Sequence, residues 1–242
     1  MSEIAPPSRE PLERFYHRDG NRLWVTAEQG SGFAKQVAGD HNPLHDADAP
    51  RFCVPGDLLF ALIVERYGLA QRFALSFRGM LRAGTPLVLP ARDDQPAFMI
   101  TGEDAREYVA VTHESPLADD AGGRDALVRA YVACSGETFP DRLCPLLADA
   151  GVMFNPKRPF LVYDSMHLNL ERAPGDGVAV TPQAPSLTLD GKRADVQFNY
   201  RIEDAHGAIG EAGKRMVVSG LRDYDAATMD RVISAYQARR AR

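Results

Sequence analysis

A chain of 242 residues is about one and a half average domains, and its 45% hydrophobic and 25% charged content excludes a disordered tail protein, a collagen-like fibre and a coiled coil. The net charge of -5 argues against nucleic acid as the main partner, because phosphate backbones select a basic surplus. The longest uninterrupted apolar run, residues 58–64, falls far short of the roughly 20 residues that cross a bilayer, so no membrane association is expected. The amino terminus has no apolar core behind a basic start, so no secretory signal is visible. Three cysteines, Cys53, Cys134 and Cys144, stand in no CxxC pair and read as reduced thiols of a cytoplasmic protein.

Residues 1–18, rich in proline and charge, read as an amino-terminal arm. Residues 22–25 suit a short strand. Thr26 fits a helix cap, and Gln29 three positions on completes a capping-box pattern. Phe33 and Val37, with Ala34 and Ala38, give an apolar face at helical spacing, and Gly39 is a natural stop. The three prolines of residues 40–55, DHNPLHDADAPRFCVP, forbid a long helix and mark an ordered loop. Pro55-Gly56 opens a second helix over 57–67, closed by Gly68, and its stretch LLFALIV is apolar on every side. Such a helix is buried all round or lies in a membrane. It is too short for a membrane, so a sheet wrapped around it is the economical answer.

Strand signals follow over 73–90, with turns at Arg78-Gly79 and Ala83-Gly84, and again at 97–101 and 107–112. Residues 119–124, DDAGGR, read as an exposed turn, and 126–134 fit either strand or helix. Residues 143–150 read as a short helix and 151–159 as a proline-rich loop. Next comes a strand in which Met166, Leu168 and Leu170 alternate with His167, Asn169 and Glu171. The clearest strand is 193–202, with Ala194, Val196, Phe198, Tyr200 and Ile202 on one side. A turn at 204–207 returns the chain as a strand over 210–219. Asp225 caps a last amphipathic helix to about 237, and Arg239, Arg240 and Arg242 form a basic, solvated tail. Both halves thus order as a helix-bearing loop followed by strands, and two helix-on-sheet units of roughly 110 residues fit the length.

The dense cluster of reactive side chains is Gly39-Asp40-His41-Asn42-Pro43-Leu44-His45-Asp46. Pro43 fixes its own backbone and pushes Asn42 to an extended conformation. The result is a rigid turn able to aim Asp40 and His45 at one point, where they can perform general acid–base chemistry on a water. His41 and Asp46 read as solvated. Cys53 has no visible activating group and reads as a packed thiol. His17, His113, His167 and His206 lack metal-ligand spacing, so neither a metal nor an organic cofactor is called for.

Gly-Asp-x-Asn-Pro-x-His, preceded by a short Phe-Ala helix and followed by Val-Pro-Gly and an apolar helix, resembles the MaoC-like hydratase branch of the hot-dog fold. The resemblance is strong over residues 26–62. It implies an α+β double hot-dog: a motif-bearing unit over 19–135, a degenerate unit over 136–224, and a terminal helix and tail over 225–242. It implies that Asp40 and His45 hold the water added to, or removed from, a 2-enoyl-CoA, and that the Gly56 N–H binds the thioester oxygen. Asn42, Pro55 and Asp57 would lie against the substrate, with Asn42 orienting the loop or the water. Full length, NPKRP and the ending KRMVVSGLR also resemble an uncharacterised bacterial family with a MaoC-like amino half.

Three features depart from that pattern. Pro55-Gly56-Asp57 stands where the family commonly has His-Gly-Met. Asp57 would oppose an enolate if it faced the thioester and would be harmless as an outward helix cap. The motif occupies the amino half rather than the carboxyl half, and the second half keeps only Asn155-Pro156, so at most one site per chain is expected. The readings are therefore an enoyl-CoA hydratase or dehydratase, a non-catalytic binder of acyl-CoA or another small ligand, or a thioesterase. A homodimer is left open.

Overall fold

Local chemistry places the first elements. The computed structural model describes residues 11–91, 95–118 and 120–241. Strands β1 (His17–Asp19) and β2 (Arg22–Trp24) lead into helix α1 (Ala27–Gln36). There Thr26 and Gln29 form the reciprocal capping box, and Phe33, Ala34, Val37 and Ala38 are buried. Gly39 ends this segment at φ +64°, a left-handed conformation that glycine adopts without strain. Helix α2 (Gly56–Tyr67) follows the motif loop, and the whole run Leu58–Val64 is buried.

Strands β3 (Ala70–Phe77), β4 (Leu87–Val88), β5 (Ala97–Gly102) and β6 (Glu107–Pro116) come next, then helices α3 (Ala121–Ala133) and α4 (Cys144–Asp149). The second half adds β7 (Val152–Met153), β8 (Phe160–Leu170), β9 (Ala179–Pro182), β10 (Ser186–Asp190), β11 (Arg193–Asp204), β12 (Gly207–Ser219), β13 (Arg222–Asp223) and helix α5 (Ala226–Arg240). One antiparallel sheet runs β1-β2-β4-β5-β6-β3-β8-β12-β11-β10, with β9 also on β11. The halves join where β3 pairs with β8, Phe73 opposite Leu168 and Leu75 opposite Met166. That junction removes an open edge from each half.

Each half of the sheet carries a helix, the buried α2 in the first and α3, with one buried face, in the second, which is the double hot-dog arrangement. Edge-to-face rings link the two: Phe73 to Phe60 at 5.7 Å, Phe60 to Tyr131 at 5.0 Å, and Tyr131 to Tyr200 at 5.7 Å. The alternation along β11 holds, with Ala194, Val196, Phe198, Tyr200 and Ile202 all buried.

Three readings are corrected, and one left between strand and helix is decided. Residues 120–124 are not an exposed turn: both Asp120 carboxylate oxygens accept from the Gly122 and Gly123 N–H groups and so start α3. Gly123 sits so close to Pro174 that a Cβ would lie 2.2 Å from its carbonyl oxygen. Residues 126–133 are helical because Leu127, Val128, Tyr131 and Val132 share a buried face. Within the arm, residues 1–10 lie outside the described residues, whereas Phe15 is buried with its ring 5.5 Å from Phe33. The loop 151–159 begins with β7, which pairs with β13. Among the described residues no helix is long and apolar enough to cross a membrane.

Candidate active site

The proline turn behaves as its residues dictate. Pro43–His45 is a single 3-10 turn, and the Asn42 side chain accepts from Leu44 N–H at 3.0 Å. Asn42 N–H in turn donates to Asp40 Oδ1 at 2.9 Å, so Asn42 orients the loop. A second clamp comes from α5: the Tyr236 hydroxyl donates to Asp40 Oδ1 at 3.4 Å and accepts from His41 N–H at 3.1 Å. Behind the turn, Gly136 packs directly on residues 38 and 39, where a Cβ would meet the Gly39 carbonyl oxygen at 3.0 Å.

These bonds leave Asp40 Oδ2 facing His45 Nε2 at 3.7 Å. His45 Nδ1 lies 2.8 Å from the Cys53 carbonyl oxygen. A carbonyl can only accept, so Nδ1 carries a hydrogen, and Nε2 is the ring nitrogen that faces Asp40. Burial pushes the Asp40 carboxyl above its usual range, the neighbouring His45 and the Asn42 N–H pull it back, and Asp57 adds to the rise.

Asp40, Asn42, His45 and Gly56 line one cavity of about 240 Å³ between the halves, together with Ser135 and Tyr163. Gly56 precedes the first intrahelical bonds of α2, which begin with Leu58 and Leu59 donating to Pro55, and the helix dipole favours negative charge at that end. Phe77 closes over Gly56, where a Cβ would lie 3.1 Å from the ring. Pro55 and Asp57 are not in the cavity wall. Asp57 does not cap outward: it is buried and pairs with the fully buried Lys214 of β12, Oδ1 to Nζ 2.6 Å. Lys214 also donates to Ser135 Oγ at 2.8 Å and lies over the Tyr131 ring at 4.6 Å.

A second cavity of about 370 Å³ adjoins the first and shares Asn42, Phe139 and Leu161 with it. Its far wall is α5, with Arg231 and Arg239, and Pro156 of the NPKRP segment forms another side.

Over residues 11–227 the chain matches a family described as Protein of unknown function (DUF3581). It belongs to that family. The family span contains the Asp40–His45 turn, Asp57 and Lys214 and stops short of Tyr236. No curated protein matches the chain in sequence. Among solved structures it is similar to a tesB protein of Mycobacterium avium subsp. paratuberculosis, at 11% identity over 86% of this chain and 96% of that one, with a TM-score of 0.45. An acyl-CoA thioesterase II from Mycobacterium marinum gives 12% identity, coverage of 90% and 100%, and a TM-score of 0.41. A MaoC-like dehydratase gives 12%, 86% and 99%, and 0.39.

The remaining sequence candidates are peripheral. Asp46 is ion-paired, with Lys35 at 2.8 Å and with Arg239 at 4.0 Å, and Arg240 lies 3.6 Å from Asp141. Asp46 and the described part of the basic tail are thus paired rather than simply solvated; Arg242 lies outside the described residues. Half-buried His41 holds its ring edge-on to Tyr236. Burial pushes the Cys53 thiol up to about 11, the environment of an unreactive thiol. Among the described residues no three His, Cys, Asp or Glu side chains are grouped to hold a metal ion.

Lys214, Ser135, Tyr163 and Tyr236 were not singled out from the sequence. Lys214 had a readable signal: it sits in phase with Ala212, Met216 and Val218, which face the core along β12. A lysine at an apolar phase is one of the few polar residues that must find a partner inside.

Proposed function

We propose that this protein adds water to, or removes it from, the double bond of a 2-enoyl thioester carried on coenzyme A. The observation that carries the reading is the gap of 3.7 Å between His45 Nε2 and Asp40 Oδ2 in the wall of one cavity. In the hydration direction His45 takes a proton from the water as its oxygen bonds to C3. Asp40, whose burial favours the protonated form, delivers a proton to C2. Transfer from His45 to Asp40 across the gap then restores both groups. The Gly56 N–H at the amino end of α2 holds the thioester oxygen, where charge develops.

Two further observations support this reading. Asp57 would oppose negative charge at Gly56 if it stood alone, and Lys214 neutralises it at 2.6 Å. Arg231 and Arg239 line the adjoining cavity, giving an acidic chain a local cationic wall for phosphates. The names of a MaoC-like dehydratase and an acyl-CoA thioesterase among the similar structures accord with acyl-thioester chemistry.

The test is loss of enoyl absorbance from crotonyl-CoA and longer 2-enoyl-CoAs, with free thiol followed in parallel. Hydration without thiol release is expected, falling about 100-fold or more in Asp40→Asn and in His45→Gln. Thiol release in place of hydration reassigns the site to thioester hydrolysis. Binding of the thioesters with neither reaction leaves a ligand-binding protein.

A further inference from the structure

A fully buried lysine stands at the inner end of a polar chain that reaches the cavity wall. The Lys214 ammonium donates to Asp57 at 2.6 Å and to Ser135 Oγ at 2.8 Å, and it faces the Tyr131 ring. Ser135 Oγ lies 2.9 Å from the Tyr163 hydroxyl. Ser135 and Tyr163 both line the 240 Å³ cavity that contains Asp40, His45 and Gly56. The chain therefore starts on a fixed positive charge and ends on a phenol at the candidate site.

The direction of the bonds follows from the cation. An ammonium has hydrogens and no lone pair, so Ser135 must accept from Lys214. That polarises the serine hydroxyl as a donor toward Tyr163 and strengthens the next bond outward. The Tyr163 hydrogen is then left with Thr138 Oγ1 at 3.5 Å, at the outer limit of hydrogen bonding. Thr138 already donates to the Cys134 carbonyl at 3.1 Å. A ligand oxygen in the cavity offers Tyr163 a better acceptor.

The backbone is bent to put Tyr163 there. Along the pairing of β8 with β12, Arg215 lies opposite Ser165 but Met216 lies opposite Tyr163, so Asp164 is the extra residue of a β-bulge. A regular strand would turn Tyr163 away from Met166, which is buried. The bulge returns Tyr163 to that face, opposite the row that holds Lys214 and Met216. Bulges recur next to active sites because they re-aim a side chain in this way.

We propose that the Tyr163 hydroxyl, driven by Lys214 through Ser135, donates a hydrogen bond to the thioester carbonyl oxygen of the bound substrate, as a second donor beside the Gly56 N–H. Tyr163 is then a catalytic residue, and Ser135 and Lys214 are positioning residues. Burial holds the phenol well above its usual range, which keeps its hydrogen in place for donation at neutral pH. The inference rests on the thioester reading of the site.

The test is the infrared carbonyl band of butyryl-CoA labelled with carbon-13 at the thioester carbon, a saturated ester that cannot be hydrated. The wild type and Asp40→Asn are expected to move the bound band to lower frequency. Tyr163→Phe, which keeps the ring under the Lys214 ammonium, is expected to lose at least half of that shift. The same substitution should lower kcat about 100-fold on an enoyl-CoA with little change in KM, the usual size for one oxyanion donor. Ser135→Ala, which leaves Tyr163 present but undriven, should give an intermediate band and an intermediate kcat. A full shift retained in both variants overturns the inference and leaves the hydratase reading standing. Failure of the wild type to bind the thioester overturns both.

Discussion

Removing the Asp57 carboxylate should leave a positive charge stranded in the core, and its size can be worked from the contacts of Lys214. The ammonium is fully buried with Asp57 at 2.6 Å. Breaking such a pair from one side costs about 3–5 kcal/mol, because the remaining ion keeps its desolvation penalty. Lys214 would retain the Ser135 hydroxyl and the Tyr131 ring face, and a desolvated cation–π contact contributes up to about 2 kcal/mol. The lower figure, about 3 kcal/mol, is therefore expected for Asp57→Ala. Against a total stability of about 5–15 kcal/mol, that is a loss of roughly 6–12 °C in Tm for a chain of this size. The double variant Asp57→Ala, Lys214→Met removes both charges and should lie within about 1 kcal/mol of the wild type, since an apolar replacement for a buried pair is close to neutral. Urea denaturation of the wild type, both single variants and the double variant closes the cycle. An Asp57→Ala single variant as stable as the wild type, or a double variant as unstable as the two singles combined, would refute the reasoning.

Asp40 gives a pH-dependent prediction with a definite sign. Its folded carboxyl titrates above its ordinary value, so the protonated form favours folding, and that contribution is present at low pH and lost as pH rises through the raised value. Asp40→Asn should accordingly be more stable than the wild type at neutral pH and equal to it below about pH 4, near the ordinary carboxylate value, as read from urea midpoints across pH. Tyr236→Phe removes the hydroxyl that bonds Asp40 and His41. It should lose about 1 kcal/mol of stability together with a several-fold fall in kcat, and unchanged turnover would argue that Asn42 alone holds Asp40. With its thiol at about 11, Cys53 should react with iodoacetamide at pH 7.5 some 100-fold or more slowly than an ordinary thiol near 8.5. Labelling at the rate of a free thiol would contradict the burial of its sulfur.

Much of the first half was legible because its signals are local. A capping box, an all-apolar helix bounded by Pro55-Gly56 and Gly68, and a proline turn each declare themselves within a dozen residues. The pairing of Asp40 with His45 followed from the turn that joins them. Helix α3 was harder: DDAGGR carries two glycines that favour a turn, and its identity as a helix start depends on Asp120 receiving both N–H groups and on Pro174 lying against Gly123. Asp57 was misplaced for the same reason. Its counter-ion lies 157 residues away, and no local period marks that distance.

The sequence by itself determined the capped first helix, the rigid Asp40–His45 turn and the start of the buried helix that follows it, since each depends on steric and hydrogen-bond preferences of neighbours in the chain. Only the tertiary structure decided the electrostatics of the site. The pairing of β3 with β8 brings Lys214 to Asp57, the bulge at Asp164 turns Tyr163 inward, and α5 returns to lay Tyr236 on Asp40. Charge neutralisation and strand register are satisfied across space, by partners that become neighbours only when the two halves share one sheet.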